Sequence, residues 1–323
     1  MRRRDFVTLL GGSVVAWPMG ALAQPAAKVP TIGFMGADPA AWRPWTDAFV
    51  KRLGEFGWSE NRTVKIAYRW NEGLPDRIAD IAAEFVNLKV DVIVTSGEAA
   101  IVKKATSNIP IVFAAVADPI GNKIVTNLAH PEANVTGVAI QSAGTSSNQI
   151  ALLLKVVPQL HRLGVIFDAG TYASTLQAGD LRANALKLGI EVASFGARRA
   201  ADIAPAFAAV KPQADALCVP GSVMMAANRT RIIAMAAAAR LPTMFDSPDY
   251  VQGGGLMSCA PSLPAQFRHA AELADKILRG VKPGDIPVMQ PNDYDLAINR
   301  ATAKALGLTI PQNVFDAANE VIG

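Results

Sequence analysis

Acids and hydroxyls that directly follow short apolar runs are the side chains best suited to chemistry in this 323-residue chain. Ser96-Gly97 follows one such run, and a hydroxyl with free backbone N–H groups at a helix start forms an anion site that suits a carboxylate. Ser96 can equally serve as an ordinary helix N-cap. Asp118, just before Pro119, can pair with a ligand amine or simply start a turn. These residue types predict binding of an organic acid or an amino acid.

Equivalent loops carry further acids, glycines and aromatic rings. Trp42 and Tyr172 are candidates for an aromatic wall, because large rings cover apolar ligand surface. Trp45 belongs to a helical stripe and is expected in the core. The candidate ligand-binding residues are Gly36, Ala37, Asp38, Trp42, Ser96, Gly97, Glu98, Ala117, Asp118, Asp168, Tyr172, Gly221, Ser222 and Asp246.

The sequence lacks the motifs of common catalytic centres. HExxH, GxSxG, GxGxxG and Walker loops do not occur, and His130, His161 and His269 lie too far apart to suggest metal spacing. No metal or cofactor is expected, and binding is favoured over catalysis. One enzymatic alternative is a racemase that works through Cys218 and Cys259. Cys218 sits in an apolar run typical of a buried thiol, and a disulfide requires that the two strands be neighbours.

Short apolar runs alternate with longer helical patterns along the chain, which indicates a parallel α/β fold. The runs at 90–94 and 109–113 are almost continuous, as expected where helices cover both faces of a sheet. Ligands of open α/β sheets bind beyond the carboxyl ends of the strands, where the candidate loops lie. The predicted strands are 31–35, 64–68, 90–95, 111–114 and 135–138, then 162–167, 190–194, 216–219 and 243–245.

The strand and helix pattern restarts after a connecting helix at 149–157, which predicts two doubly wound parallel-sheet lobes joined by a hinge. Lobe 1 is expected to comprise residues 28–141 and about 264–323, and lobe 2 residues 142–263. A long helix at 264–279 follows the last strand of lobe 2 and is expected to return to lobe 1. More than one crossing between the lobes would form the hinge.

The first 23 residues predict export. A basic start precedes an apolar stretch, and Ala21-Leu22-Ala23 provides a small-x-small cleavage site. Arg3-Arg4 fits the twin-arginine pattern. We expect cleavage after Ala23 and a periplasmic mature protein; a membrane anchor is the alternative interpretation.

Cleavage would remove three arginines and one aspartate and lower the formal net charge from +4 to +2. No cluster of more than two Lys or Arg remains, so nucleic acid is not an expected partner. No later apolar run is long enough for a membrane span.

Several segments carry a family resemblance in their order along the chain. They are residues 91–97, 109–113, 118–121, 134–138, 254–258, 277–283, 298–299 and 303–311. Together they resemble the tryptophan-type family of ABC-transporter substrate-binding proteins, which have the type I periplasmic binding protein fold. The resemblance covers essentially the whole mature chain.

The resemblance implies a receptor, expected to be monomeric, that traps a small solute in its cleft and delivers it to an inner-membrane permease with a cytoplasmic ATPase. In relatives that bind aromatic amino acids, the loops matching Ser96-Gly97 and Asp118 hold polar groups of the ligand. A sensor that passes its closed state to a membrane kinase is the alternative partner assignment.

Two departures from the family pattern bear on the solute. Cys259-Ala260 stands where the family often has Tyr, and Gly221-Ser222 stands where an acidic or amide residue often ends a strand of the second lobe. The second departure implies a ligand without a group that needs that acceptor.

Overall fold

The computed structural model describes residues 29–131, 133–140 and 142–323. The predicted export signal at 1–23 therefore lies outside the described residues. No helix in the described part of the chain is long and apolar enough to cross a membrane.

The first lobe is a five-stranded parallel sheet in the order β2-β1-β3-β4-β5. Its central strands are buried along almost their whole length, because helices pack on both faces. Its elements are β1 (Thr31–Gly36), α1 (Arg43–Glu55), β2 (Lys65–Trp70), α2 (Pro75–Leu88), β3 (Val92–Thr95), α3 (Ala99–Ala105), β4 (Ile111–Val116) and β5 (Val135–Ala139).

The second lobe is a seven-stranded sheet in the order β12-β11-β10-β9-β8-β6-β7, in which only the β10–β11 pair of the described strands is antiparallel. Its strands are β6 (Arg162–Asp168), β7 (Glu191–Ala197), β8 (Ala216–Val219), β9 (Thr243–Phe245), β10 (Met257–Pro261), β11 (Tyr294–Asn299) and β12 (Glu320–Ile322). Its helices are α4 (Ser142–Val156), α5 (Tyr172–Lys187), α6 (Ile203–Val210), α7 (Val223–Ala227), α8 (Arg229–Ala239), α9 (Pro248–Gln252), α11 (Arg300–Leu306) and α12 (Gln312–Asp316).

The remaining helix, α10 (Leu263–Leu278), returns to the first lobe. Its apolar stripe includes Phe267, Ala270, Ala274 and Ile277, at the spacing of one helix face, and it packs with β1 and α1 residues in one core cluster. This return agrees with the helix predicted at 264–279.

The chain after α10 differs from the sequence expectation. Residues 264–323 were expected in lobe 1, but β11 and β12 extend the second sheet. The physical reason is burial: Leu296 and Ile298 join the core of the second lobe, together with Val314 of α12. The chain thus passes between the lobes three times, after β5, after β10 and before β11.

Candidate functional site

The candidate residues gather at the carboxyl ends of the parallel strands in both lobes. In lobe 1 they follow β1, β3 and β4, and in lobe 2 they follow β6, β8 and β9. The two sets face each other, because Tyr172 Oη of lobe 2 donates a hydrogen bond to Asp118 Oδ2 of lobe 1 at 3.4 Å. The candidate site is therefore a cleft between the lobes, at the carboxyl ends of the strands where ligands of open α/β sheets bind.

The loop after β3 is held by its own side chains. Glu98 Oε2 accepts from Thr95 Oγ1 at 3.1 Å and from the Ser96 N–H at 3.3 Å, while Glu98 Oε1 accepts from Asn71 Nδ2 at 3.2 Å. Ser96 Oγ donates to the Ala114 carbonyl at 2.7 Å and so ties this loop to β4. Ser96 is not the N-cap of α3, because Glu98 occupies that position.

Asp38 and Asp118 also serve the turns in which they lie. Asp38 Oδ1 accepts the N–H groups of Ala40 and Ala41 at 2.9 and 2.7 Å. Asp118 Oδ1 accepts the Gly121 N–H at 2.8 Å. Asp118 Oδ2 is the atom that bonds Tyr172 across the cleft. Gly36-Ala37 and Ala117 extend the two loops, and Ala117 is exposed.

An aromatic cluster backs the first-lobe side of the cleft. Trp42 is only 8% exposed, and its ring centroid lies 5.0 Å from Trp45 and 5.4 Å from Phe267. A Cβ on Gly36 would lie 2.5 Å from the Trp70 ring and 2.6 Å from the Trp42 ring, so this glycine lets the rings close over β1. The expectations for the two tryptophans are reversed: Trp42 is buried, whereas Trp45, expected in the core, is half-buried.

The loop after β6 combines a buried acid with an exposed ring. Asp168 is 5% exposed, and its Oδ1 accepts the Gly170 N–H at 2.8 Å. Tyr172, at the start of α5, is 70% exposed, which leaves the ring free to contact a ligand or the opposite lobe. In the next loop, Ser222 Oγ accepts the Met225 N–H at 3.1 Å and caps α7.

Asp246 follows the last residue of β9 and lies against Gly221 of the neighbouring loop. A Cβ on Gly221 would lie 1.6 Å from Asp246 Oδ2, so the carboxylate occupies the space that any larger residue would need. Burial raises the pKa of Asp246 to about 6, although hydrogen bonds from its own N–H and from the Gly221 N–H work in the opposite direction.

Cys218 and Cys259 are not arranged for two-thiol catalysis. Strand β9 lies between the strands that carry them, and both thiols are free and buried. Burial raises the pKa of Cys259 to about 12 and that of Cys218 further still, which opposes thiolate formation. Within the described ranges, no three His, Cys, Asp or Glu side chains converge as metal ligands would.

A second concavity, of about 480 Å³, lies at the opposite end of the second sheet. Two of its polar side chains are already used within the lobe: Thr302 Oγ1 donates to the Gly254 carbonyl at 2.8 Å, and Asn299 Oδ1 accepts the Thr302 N–H at 2.9 Å. Arg240, which also lines this concavity, is exposed. The candidate residues lie elsewhere, so we place the site in the interlobe cleft.

Sequence reasoning missed three residues of the cleft surroundings. Asn71 is 2% exposed and orients Glu98, while Trp70 and Phe267 complete the aromatic cluster. Trp70 could have been identified from the sequence, because it lies two residues after the strand predicted at 64–68 and is the last residue of β2. Local sequence patterns could not assign Phe267 to the cluster, because its helix follows most of lobe 2 in the sequence and packs against lobe 1 only in the folded structure.

Comparison with known proteins gives consistent matches. A tyrosine-binding protein from Clostridioides difficile (strain R20291) is 27% identical over 262 residues, which cover 80% of this chain and 75% of that protein. The ligand-free, open structure of a substrate-binding protein with adhesive properties from Clostridium difficile aligns with a TM-score of 0.82 at 26% identity, covering 91% of this chain and 99% of that chain.

A Streptococcus pneumoniae ABC domain in complex with L-Trp aligns with a TM-score of 0.71 at 26% identity and the same coverage of both chains. The fold is that of the type I periplasmic binding proteins, and the relatives are substrate-binding proteins rather than enzymes. Residues 41–322 match the family described as ABC transporter substrate binding protein, and the chain belongs to that family.

Proposed function

We propose that this chain is the periplasmic solute-binding component of an ABC importer. The observation that carries the proposal is the hydrogen bond between Asp118 and Tyr172, which joins the two lobes across a cleft lined by strand carboxyl ends. A solute bound between these loops would bridge the same two surfaces. Binding and lobe closure would then be coupled, because each stabilises the other.

Hinge closure is supported by the three passages of the chain between the lobes. Rotation about three short segments can change the cleft width while both cores stay packed. The TM-score is 0.82 against the open, ligand-free relative and 0.71 against the L-Trp complex, at equal sequence identity. This difference supports a lobe arrangement closer to that of the open relative, with the Asp118–Tyr172 contact already formed at one point, from which a solute would trigger further closure.

The proposed solute is an amino acid, and an aromatic one is favoured over other small carboxylates. Two of the relatives described above are a tyrosine-binding protein and a domain in complex with L-Trp. In this chain the cleft loops carry Asp118, Asp168 and Asp246, which suit an ammonium group, and the exposed Tyr172 ring suits an apolar side chain.

The location and the partner follow from the same proposal. The sequence predicts an export signal at 1–23, which would place the mature protein in the periplasm. There a free monomeric receptor would bind the inner-membrane permease through the surface of its closed form. Closure must remain reversible for delivery. Micromolar affinity, about −8 kcal/mol, allows both capture and release.

The test combines ligand discovery with a measurement of shape. Mass spectrometry of natively purified protein identifies any carried solute, and titration calorimetry measures affinity for the twenty amino acids and for small carboxylates. Small-angle scattering with and without the tightest ligand is expected to show a smaller radius of gyration in the bound state. Absence of binding to every solute class would refute the proposal, and binding without compaction would refute hinge closure.

A further inference from the structure

Asp246 is a partly buried acid of the cleft that no cation among the described residues neutralises. Backbone N–H groups, its own and that of Gly221, lower its pKa, whereas burial has the larger effect and raises it. The nearby guanidinium of Arg229 is already paired with Asp249 at 2.9 Å. The other titratable group beside it is Tyr250, whose pKa is raised mainly by burial and also by the charges of Asp246 and Asp249.

Gly221 makes the position of this carboxylate possible. Any side chain at 221 would begin 1.6 Å from Asp246 Oδ2, so the acid stands in the space that a residue at 221 would otherwise fill. From the glycine alone, the sequence implied a ligand without a group that needs an acceptor at this point. The structure places the Asp246 carboxylate in this space, from the loop after the neighbouring strand β9.

We propose that Asp246 accepts the protonated amine of the solute and thereby selects amino acids over the corresponding acids that lack the amine. The inference rests on the proposed function, because it assigns one group of that same cleft. A partly desolvated carboxylate without a counter-ion costs free energy in the empty protein. An ammonium group bound to Asp246 offsets this desolvation penalty through a charge-assisted hydrogen bond. A solute without an ammonium group leaves the carboxylate unpaired, and the penalty remains.

The test uses matched ligand pairs on the purified protein and its variants. L-Tyrosine, L-tryptophan and L-phenylalanine are each titrated beside the corresponding 3-arylpropanoic acid, which lacks only the amine. Wild type is expected to prefer the amino acid by about 10- to 100-fold, the value of a charge-assisted hydrogen bond. Asp246→Asn keeps the shape and is expected to reduce this preference to about threefold or less.

Two further variants separate the charge from the fold. Asp249→Asn removes a neighbouring acid that is paired with Arg229 at the surface, and it is expected to leave the preference unchanged. Gly221→Ala displaces the Asp246 carboxylate without removing it and is expected to weaken amino-acid binding while retaining the arylpropanoic acid. Thermal melts confirm that each variant is folded before its affinities are compared.

The pH dependence gives an independent readout. Amino-acid affinity of the wild type is expected to fall about tenfold between pH 7.5 and 5.0 as Asp246 takes up a proton, and Asp246→Asn is expected to remove this loss. An unchanged preference in Asp246→Asn would overturn the inference and leave the proposed function intact. A wild type that binds none of these compounds, and none of the other solutes titrated above, would overturn the proposed function itself.

Discussion

The acids on the two sides of the cleft differ in how their carboxylates are stabilised. In lobe 1, Asp38 and Glu98 accept hydrogen bonds from neighbouring backbone and side-chain groups and hold their loops in shape. In lobe 2, Asp246 forms no ion pair with any described residue, and burial raises its pKa to about 6. The first side is therefore preorganised without a ligand, whereas the second side retains a charge that a ligand can compensate.

The cores behind these two surfaces differ in composition, because the first is rich in aromatic rings and the second mainly aliphatic. Behind the first-lobe loops, Phe34 is surrounded by Phe49, Tyr68, Trp70 and Phe267, with ring centroids 5.4 to 6.2 Å away. The core that supports the second sheet is mainly aliphatic. Because large packed rings hold the shape of a wall, we expect lobe 1 to select the shape of the solute and, under the proposed role of Asp246, lobe 2 to select its charge.

Removing the central ring is expected to have the largest effect. Phe34 is fully buried, and Phe34→Ala is expected to cost about 3–5 kcal/mol through lost burial and a cavity. The tryptophans of residues 29–323 all lie in lobe 1, so denaturant unfolding followed by tryptophan fluorescence reports on that lobe. Leu217→Ala, in the lobe 2 core, is the control, expected to cost about 2–5 kcal/mol and to shift mainly the circular-dichroism transition. Equal shifts of the fluorescence transition in both variants would show that the lobes unfold as one unit.

The stability of the empty protein should improve when Asp246 is neutralised. The folded pKa of about 6 lies above the usual value for Asp, so the folded state binds more protons, and its stability rises as the pH falls through 6 toward about 4. Asp246→Asn is expected to be more stable than wild type by about 1–3 kcal/mol at pH 7.5, with the difference gone near pH 4. Urea unfolding at a series of pH values measures this. A loss of stability at pH 7.5 would mean that the carboxylate supports the fold.

Neutralising Glu98 of lobe 1 should lower the stability of the protein, whereas neutralising Asp246 should raise it. Glu98→Gln removes acceptor capacity for Thr95 and Ser96 and is expected to destabilise the protein by about 1 kcal/mol. The preference for amino acids over arylpropanoic acids should stay within about twofold of wild type, because Glu98 is already committed to its loop. Calorimetry on the ligand pairs checks this outcome. If Glu98→Gln lost the preference for amino acids as completely as Asp246→Asn, the proposed difference between the acids of the two lobes would be wrong.

The sequence was sufficient for the parts of the fold that depend on local pattern. The continuous apolar run around Val92 and the alternation of strands and helices predicted strands β1 to β9 and placed the candidate loops at the strand ends. Helix α10 was also predicted, because Gly280 and Pro283 mark the end of a long helical segment that begins at Pro264.

Features that depend on contacts distant in the chain were not predictable. The destination of residues 294–323 depends on the pairing of β11 with β10, which local periodicity does not encode. The exchange of roles between Trp42 and Trp45 depends on Phe267, more than 200 residues away in the chain. Asp246 was a candidate from its loop alone, but its packing on Gly221 emerges only when β8 and β9 are neighbours.

The smallest expected effect concerns the contact that joins the two sides. Tyr172→Phe removes the 3.4 Å hydrogen bond to Asp118 and keeps the ring. Because Tyr172 is 70% exposed and water can replace the lost partner, we expect a cost of about 0.5–1 kcal/mol, or a two- to fivefold weaker ligand affinity. Calorimetry measures the affinity, and scattering of the bound form should still show compaction. A much larger loss would mean that the hydroxyl contacts the solute itself, in which case Asp118→Ala, which removes the acceptor of the Tyr172 hydroxyl, would not reproduce the effect.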